Sequence, residues 1–220
     1  MASLLIFFFV AVAVVLPSVR RQPGIGVLAG VLLVAAVTWL RGEGVGSLGL
    51  EAPSDWGRLA TLALAYGISI AFLSLMVIDP LVEKFTGHPH DISAVNAVRG
   101  SVTSLIVVII SVWVLVAFVE EILYRGFLMT ELVRSLGTST PALVLNLLVC
   151  AAIFGLSHWY QGPSGVWSTG TIGLLLGVLF ILTGFNLWLP ILVHGVVDTV
   201  LLTFIYLNKD EQLKHLIIHS

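Results

Sequence analysis

The sequence is poor in charge. Of its 220 residues only 10% are Asp, Glu, Lys or Arg, against 58% hydrophobic, and the mean hydropathy is +1.08. A soluble domain carries about 25% charged residues, so a chain wetted over most of its surface is excluded. An excess of one sign is missing too. A net charge of −2 offers no basic footprint, and no nucleic-acid partner is expected. One cysteine, Cys150, lies in the apolar run 143–156; an intrachain disulfide is excluded, and a small apolar core residue is its reading. The period-two alternation of a membrane β-strand is also absent.

What remains is long apolar runs. About 20 apolar residues cross the hydrocarbon core as a helix. On that measure the runs near 3–16, 24–40, 59–78, 102–119, 141–158, 169–184 and 187–207 are spans. Residues 121–135 form a further helical stretch that either continues the fourth run or folds back. The expected fold is all-α, a polytopic membrane helical bundle of about seven to eight transmembrane helices, with the lipid bilayer as its solvent. The first run lacks a basic leader, and Arg20-Arg21 follow it, so it reads as an uncleaved first helix.

The connections carry the polar residues. Residues 41–58 are glycine-rich and end in Ser54-Asp55-Trp56, a cap and interfacial anchor. Residues 79–100 form the longest polar loop. With the N-terminus outside, Arg20, Arg21, Lys84, Arg99, Lys209 and Lys214 fall on one side, and Arg41, Arg58 and Arg134 on the other. Six against three agrees with the positive-inside rule and puts the 79–100 loop and the C-terminus in the cytoplasm.

Three polar motifs interrupt the apolar C-terminal half. The first is Glu120-Glu121-x3-Arg125. Charges at membrane depth cost roughly 2.5–3.5 kcal/mol each on insertion scales, so three within six residues point to a use. On a helix Glu121 and Arg125 are i,i+4 neighbours and can pair, while Glu120 is rotated about 100° away and stays available as a general base. The second motif is Phe154-x3-His158, and the third is His194-x3-Asp198, a carboxylate one turn from an imidazole. Pro190, one turn before His194, is expected to kink that helix. Each motif alone has a plain structural reading: an ion pair, a helix–helix hydrogen bond, a satisfied histidine. Two Glu, two His and an Asp on three separate segments argue for a shared site.

These motifs, in this order on successive membrane helices, resemble the CAAX-protease and bacteriocin-processing family (CPBP, Abi), which includes the type II CAAX prenyl endopeptidases. The resemblance covers roughly residues 100–205. The chain then divides into three parts: N-terminal membrane helices over 1–100, about three of them with the cytoplasmic 79–100 loop; a core over 101–207, which the resemblance makes catalytic; and a short cytoplasmic tail over 208–220. The resemblance implies an intramembrane endopeptidase of a prokaryotic cell membrane, acting on a membrane-associated peptide or protein. Carried over, Glu120 is the base that activates water and His158 helps to hold that water. His194 and Asp198 stabilise the oxyanion, and Glu121 and Arg125 support the base. The prenyl-protease branch has asparagine where this chain has Asp198, and an ionised aspartate cannot donate a hydrogen bond. Protonation, action through His194 and metal binding are the three ways to reconcile it.

Two mechanisms stay open: a metal-free, glutamate-activated water, or a site in which Glu120, His158, His194 and Asp198 hold zinc with one open position. From other classes, the alternatives are a non-catalytic scaffold or self-immunity protein, and a small-solute or proton-coupled transporter. The transporter should show paired halves, and no internal repeat is visible. One geometric difficulty stands. If 102–119 and 141–158 each cross once in opposite senses, Glu120 and His158 end roughly 10–20 Å apart in depth. A site then requires 121–135 to fold back, or helices that are broken or displaced along the membrane normal.

Other residues read structurally. His88-Pro89-His90-Asp91 is a solvated turn rather than a surface metal site, and His215 and His219 lie in a short tail. Trp159, Tyr160 and Trp167 around Gly162-Pro163 are an interfacial anchor. Gly173-x3-Gly177 is a helix-packing face, and Gly184 and Asn186 mark a turn.

Overall fold

The computed structural model describes residues 2–210, and the remaining tail with Lys214, His215 and His219 lies outside them. Seven helices in this range are long and apolar enough to cross a membrane: α1 (Ala2–Val19), α2 (Pro23–Leu40), α3 (Trp56–Thr86), α4 (Val102–Leu136), α5 (Thr140–Ser157), α6 (Trp159–Leu182) and α7 (Trp188–Tyr206). No strand occurs among the described residues. The protein is a multi-pass, all-α membrane bundle. Large apolar side chains face outward on every side, among them Phe8, Leu28, Leu64, Ile106, Leu115 and Leu148, as lipid contact requires.

Two helices are longer than their apolar runs. α3 spans 31 residues and α4 spans 35, the latter about 50 Å against a hydrocarbon core of about 30 Å. Residues 79–86, expected to be loop, continue α3, because Pro80 falls at the start of a fresh helical segment after a π-helical turn at Ser74–Ile78. There its missing N–H is tolerated. Residues 121–135 neither fold back nor form an eighth span: they continue α4. Asp55 accepts from Arg58 N at the head of α3, which makes it the N-cap expected there. Pro190 lies in the first turn of α7, where it removes no intrahelical hydrogen bond. The expected kink therefore has no cause.

α4 is the central helix. Leu123, Tyr124, Phe127 and Leu128 are fully buried and pack with Val10 and Val14 of α1, Phe154 of α5 and Phe180 of α6. α1 pairs with α2, α5 with α6, and α3 runs along α7. Gly155 lies so close to α6 that a Cβ would collide with the Val166 carbonyl. Gly173 and Gly177 fit Phe154 and the Leu147–Met129 contact in the same way, which is the packing face their spacing announced.

The 41–55 connection dips into the bundle. Leu187 N donates to the Gly49 carbonyl (2.9 Å) and Asn186 Nδ2 to the Glu51 carbonyl (2.8 Å). Gly49 sits at φ 81°, in the left-handed region. The α6–α7 turn thereby rests on Gly126, ten residues before the end of α4, so α7 begins roughly 15 Å deeper than α5. A Cβ on Gly126 would lie 2.7 Å from Leu48 O and 2.9 Å from Leu187 Cδ1. Gly126→Val is expected to lower stability by about 1–3 kcal/mol through overpacking, read as a lower unfolding midpoint in detergent; an unchanged midpoint would contradict this seat.

Candidate active site

The depth difficulty resolves at the α4–α5 turn. Glu120 stands seventeen residues before Gly137, and His158 nineteen residues after Ser139. Two antiparallel helices leaving one turn reach the same depth after the same number of residues, here roughly 25–28 Å. The mismatch arose from ending the span at residue 119. With α4 continuous and α7 set deeper, displacement along the membrane normal brings His194 to the same level.

Glu120 and Glu121 sit between two π-helical stretches of α4, Val112–Ala117 and Ile122–Met129. Such bulges shift the helical phase and recur at functional sites. Glu121 is fully buried and is the hub. Its Oε1 accepts from Arg125 Nη1 (2.6 Å) and lies 2.9 Å from His194 Nδ1. Arg125 Nη2 donates to the Gly173 carbonyl of α6 (2.8 Å), and its guanidinium lies over the Phe154 ring, 4.6 Å from the centroid. One carboxylate and one guanidinium thus tie α4, α5, α6 and α7 together. Because a carboxylate only accepts, Nδ1 of His194 carries the hydrogen. Its Nε2 lies 3.6 Å from Asp198 Oδ2, an ion-pair distance that is long for a hydrogen bond.

His158 caps the end of α5. Its Nδ1 lies 2.8 Å from the Phe154 carbonyl, which can only accept, and 3.3 Å from Ser157 Oγ. The ring therefore donates through Nδ1, and in the neutral form Nε2 holds the lone pair. Phe154 packs among these groups, 4.8 Å from His158, 6.2 Å from His194 and 4.8 Å from Tyr124 between ring centroids.

Glu120, His158, His194 and Asp198 line one cavity of about 250 Å³. Glu120 Oε2 is buried and makes no hydrogen bond among the described residues. Behind it a chamber of about 20 Å³ touches Glu120, Tyr124, Ser157, His158 and Tyr160, with Ser18 of α1 on its far side. That is room for about one water molecule. No set of three His, Cys, Asp or Glu that could hold a metal ion is found among the described residues, so the proposed zinc donors share a cavity without forming a cage.

Several cavity residues escaped the sequence reading. His90, read as part of a solvated turn, is instead mostly buried in the cavity wall, with Nδ1 3.6 Å from the buried carboxylate of Asp79 and Nε2 3.1 Å from Gln161 Oε1. Tyr160, read as an interfacial anchor, also lines the cavity, and α6 starts at residues 159–161 with a 3₁₀ turn rather than near 169. The available signal was topological: the 79–100 connection and the 158–161 turn fall on the same side of the membrane, within reach of each other.

The comparisons agree with this architecture. The family model described as type II CAAX prenyl endopeptidase Rce1-like matches residues 102–200, from the start of α4 into α7. Among curated proteins, the uncharacterized protein YpbD of Bacillus subtilis (strain 168) is 30% identical over 153 residues, 68% of this chain and 74% of that protein. No solved structure matches. The chain belongs to the Rce1-like family of type II CAAX prenyl endopeptidases, a family of membrane proteases.

The hub makes a stability prediction. Removing one partner of a buried pair strands the other charge, typically at a cost of about 3–5 kcal/mol. Arg125→Met is expected to destabilise by that order in detergent unfolding, and adding Glu121→Gln is expected to recover part of the loss. Equal stability of Arg125→Met and wild type would show that Glu121 does not depend on the guanidinium.

Proposed function

We propose that this protein is an intramembrane endopeptidase that hydrolyses a peptide bond in a membrane-associated protein or peptide. The observation that carries the reading is the shared cavity of Glu120, His158, His194 and Asp198, with one Glu120 oxygen unbonded inside a buried wall. Residues 101–207 form the catalytic core in this reading.

Glu120 takes a proton from water as that water attacks the scissile carbonyl, and His158 accepts the water's other hydrogen through Nε2. The adjacent one-water chamber fits this role. His194 carries a carboxylate at each ring nitrogen, Glu121 at 2.9 Å and Asp198 at 3.6 Å. As imidazolium it balances their charge together with Arg125, and Nε2–H faces the developing oxyanion. Asp198 thus acts through His194 and needs no hydrogen of its own. Glu121 and Arg125 hold the base and the imidazole in register. When the tetrahedral intermediate collapses, the C–N bond breaks and Glu120 returns its proton to the leaving amine. No step requires a metal.

Topology supports access from one face. If all seven helices cross, residues 2 and 210 lie on opposite sides, and Arg20, Arg21, Lys84, Arg99 and Lys209 share the side of His90 and His158. By the positive-inside rule that side is cytoplasmic and the N-terminus is outside. In a prokaryotic cell membrane, substrate then enters from the cytoplasmic leaflet.

Purified protein in liposomes, supplied with a library of membrane-tethered peptides, tests the reading. Glu120→Gln keeps the shape and removes the base, and cleavage is expected to fall by about 10²–10⁴-fold. Wild-type cleavage by the folded variant would overturn the assignment.

A further inference from the structure

An oxyanion needs donors, and the cavity is short of them. In the reading above Asp198 acts as a carboxylate, and His158 donates its Nδ1 hydrogen to the Phe154 carbonyl. The Thr169 hydroxyl donates to the Gly165 carbonyl (2.7 Å) and the Ser74 hydroxyl to Asp79 Oδ2 (3.3 Å). One cavity hydroxyl is left: the phenol of Tyr160, two residues beyond His158, whose ring lies 5.8 Å from the imidazole.

The neighbours of that phenol show what its oxygen already accepts. Gln161 Nε2 donates to the Tyr160 oxygen (3.2 Å). The other end of the same amide, Oε1, is an acceptor and lies 3.1 Å from His90 Nε2, so that nitrogen carries a hydrogen. His90 Nδ1 faces Asp79 Oδ1 at 3.6 Å, and Asp79 is itself buried and receives Ser74. The Gln161 backbone carbonyl also accepts from Asp91 N (3.1 Å), locking the 87–92 strap onto the 158–161 turn. Hydrogen bonds thus link His90, Gln161 and Tyr160, with the Asp79 carboxylate at ion-pair distance behind His90. With its oxygen already accepting from Gln161, the phenol is left to donate its own hydrogen. Tyr160 lines both the substrate cavity and the one-water chamber, together with Glu120 and His158.

We infer that Tyr160 is a further catalytic residue, its O–H donating to the oxyanion formed when water adds to the scissile carbonyl, and that Asp79, His90 and Gln161 are positioning residues that aim it. The inference rests on the protease reading above. Water's oxygen bonds to the carbonyl carbon, its proton passes to Glu120, and the C=O π pair moves onto oxygen, where Tyr160 and His194 receive it. On collapse that pair reforms the carbonyl, the C–N bond breaks, and Glu120 protonates the amine. Tyr160 keeps its proton throughout. It supplies the neutral donor that the resemblance leads one to seek at position 198, where this chain has a carboxylate.

The test measures kcat and KM of the full-length protein in liposomes on one cleaved membrane-tethered peptide, for Tyr160→Phe, Gln161→Leu, their double variant and Glu120→Gln. Tyr160→Phe deletes one oxygen and is expected to lower kcat by about 10²-fold, the effect of losing an oxyanion donor, with KM unchanged. Gln161→Leu is expected to lower kcat less, and to add nothing in the Tyr160→Phe background. Wild-type kcat in Tyr160→Phe beside an inactive Glu120→Gln would overturn this inference and leave the protease reading intact. A Gln161→Leu loss that persists in full in the double variant would overturn the positioning role. Full activity of Glu120→Gln would overturn the protease reading, and the inference with it.

Discussion

Glu121 is a carboxylate with no exposure to solvent, and the rest of the site follows from what its burial demands. A lone buried charge of this kind costs several kcal/mol even after relaxation. The protein answers with a guanidinium one turn along α4 and an imidazole from α7 on the same oxygen. Arg125 in turn needs a second acceptor and a flat surface, which the Gly173 carbonyl of α6 and the Phe154 ring of α5 provide. Pairing one oxygen of this carboxylate thereby ties four helices together. Glu120, next in sequence and rotated away from this junction, is left facing the cavity.

Much of this was legible in the sequence because membrane burial makes polar residues informative. Apolar run length gave the helices of the bundle, and the i,i+4 spacing of Glu121 and Arg125 gave their ion pair. The extensions of α3 and α4 were not legible, because a helix leaving the bilayer no longer needs apolar residues, and hydropathy stops where the lipid does. Pro80 and the polar stretch after it read as loop for the same reason. The level placement of Glu120 and His158 could have been obtained by counting from the Gly137–Ser139 turn instead of from the end of an apolar run. Spacing cannot reveal contacts between connections, so His90 looked solvated and Tyr160 looked like an interfacial anchor.

The dipping 41–55 connection has a consequence for chemistry as well as for packing. By seating the α6–α7 turn on Gly126 it sets α7 deep enough for His194 to meet Glu121. Residues outside the family-matched region thus set the depth of a residue inside it. The α1–α2 hairpin borders the same site, where Val14, Ser18 and Val27 wall the chamber beside Glu120. The N-terminal helices are therefore part of the site's construction rather than a separate anchor.

In the protease reading, one cavity assembled around the Glu121 junction holds the scissile bond between Glu120 and His194. The most direct measurement is an experimental structure of the Glu120→Gln protein in lipid with an uncleaved substrate peptide. The account predicts the scissile carbonyl in the cavity bounded by His158, Tyr160 and His194, its oxygen within hydrogen-bond reach of His194 Nε2. A peptide bound elsewhere, with that cavity closed to it, would contradict the account.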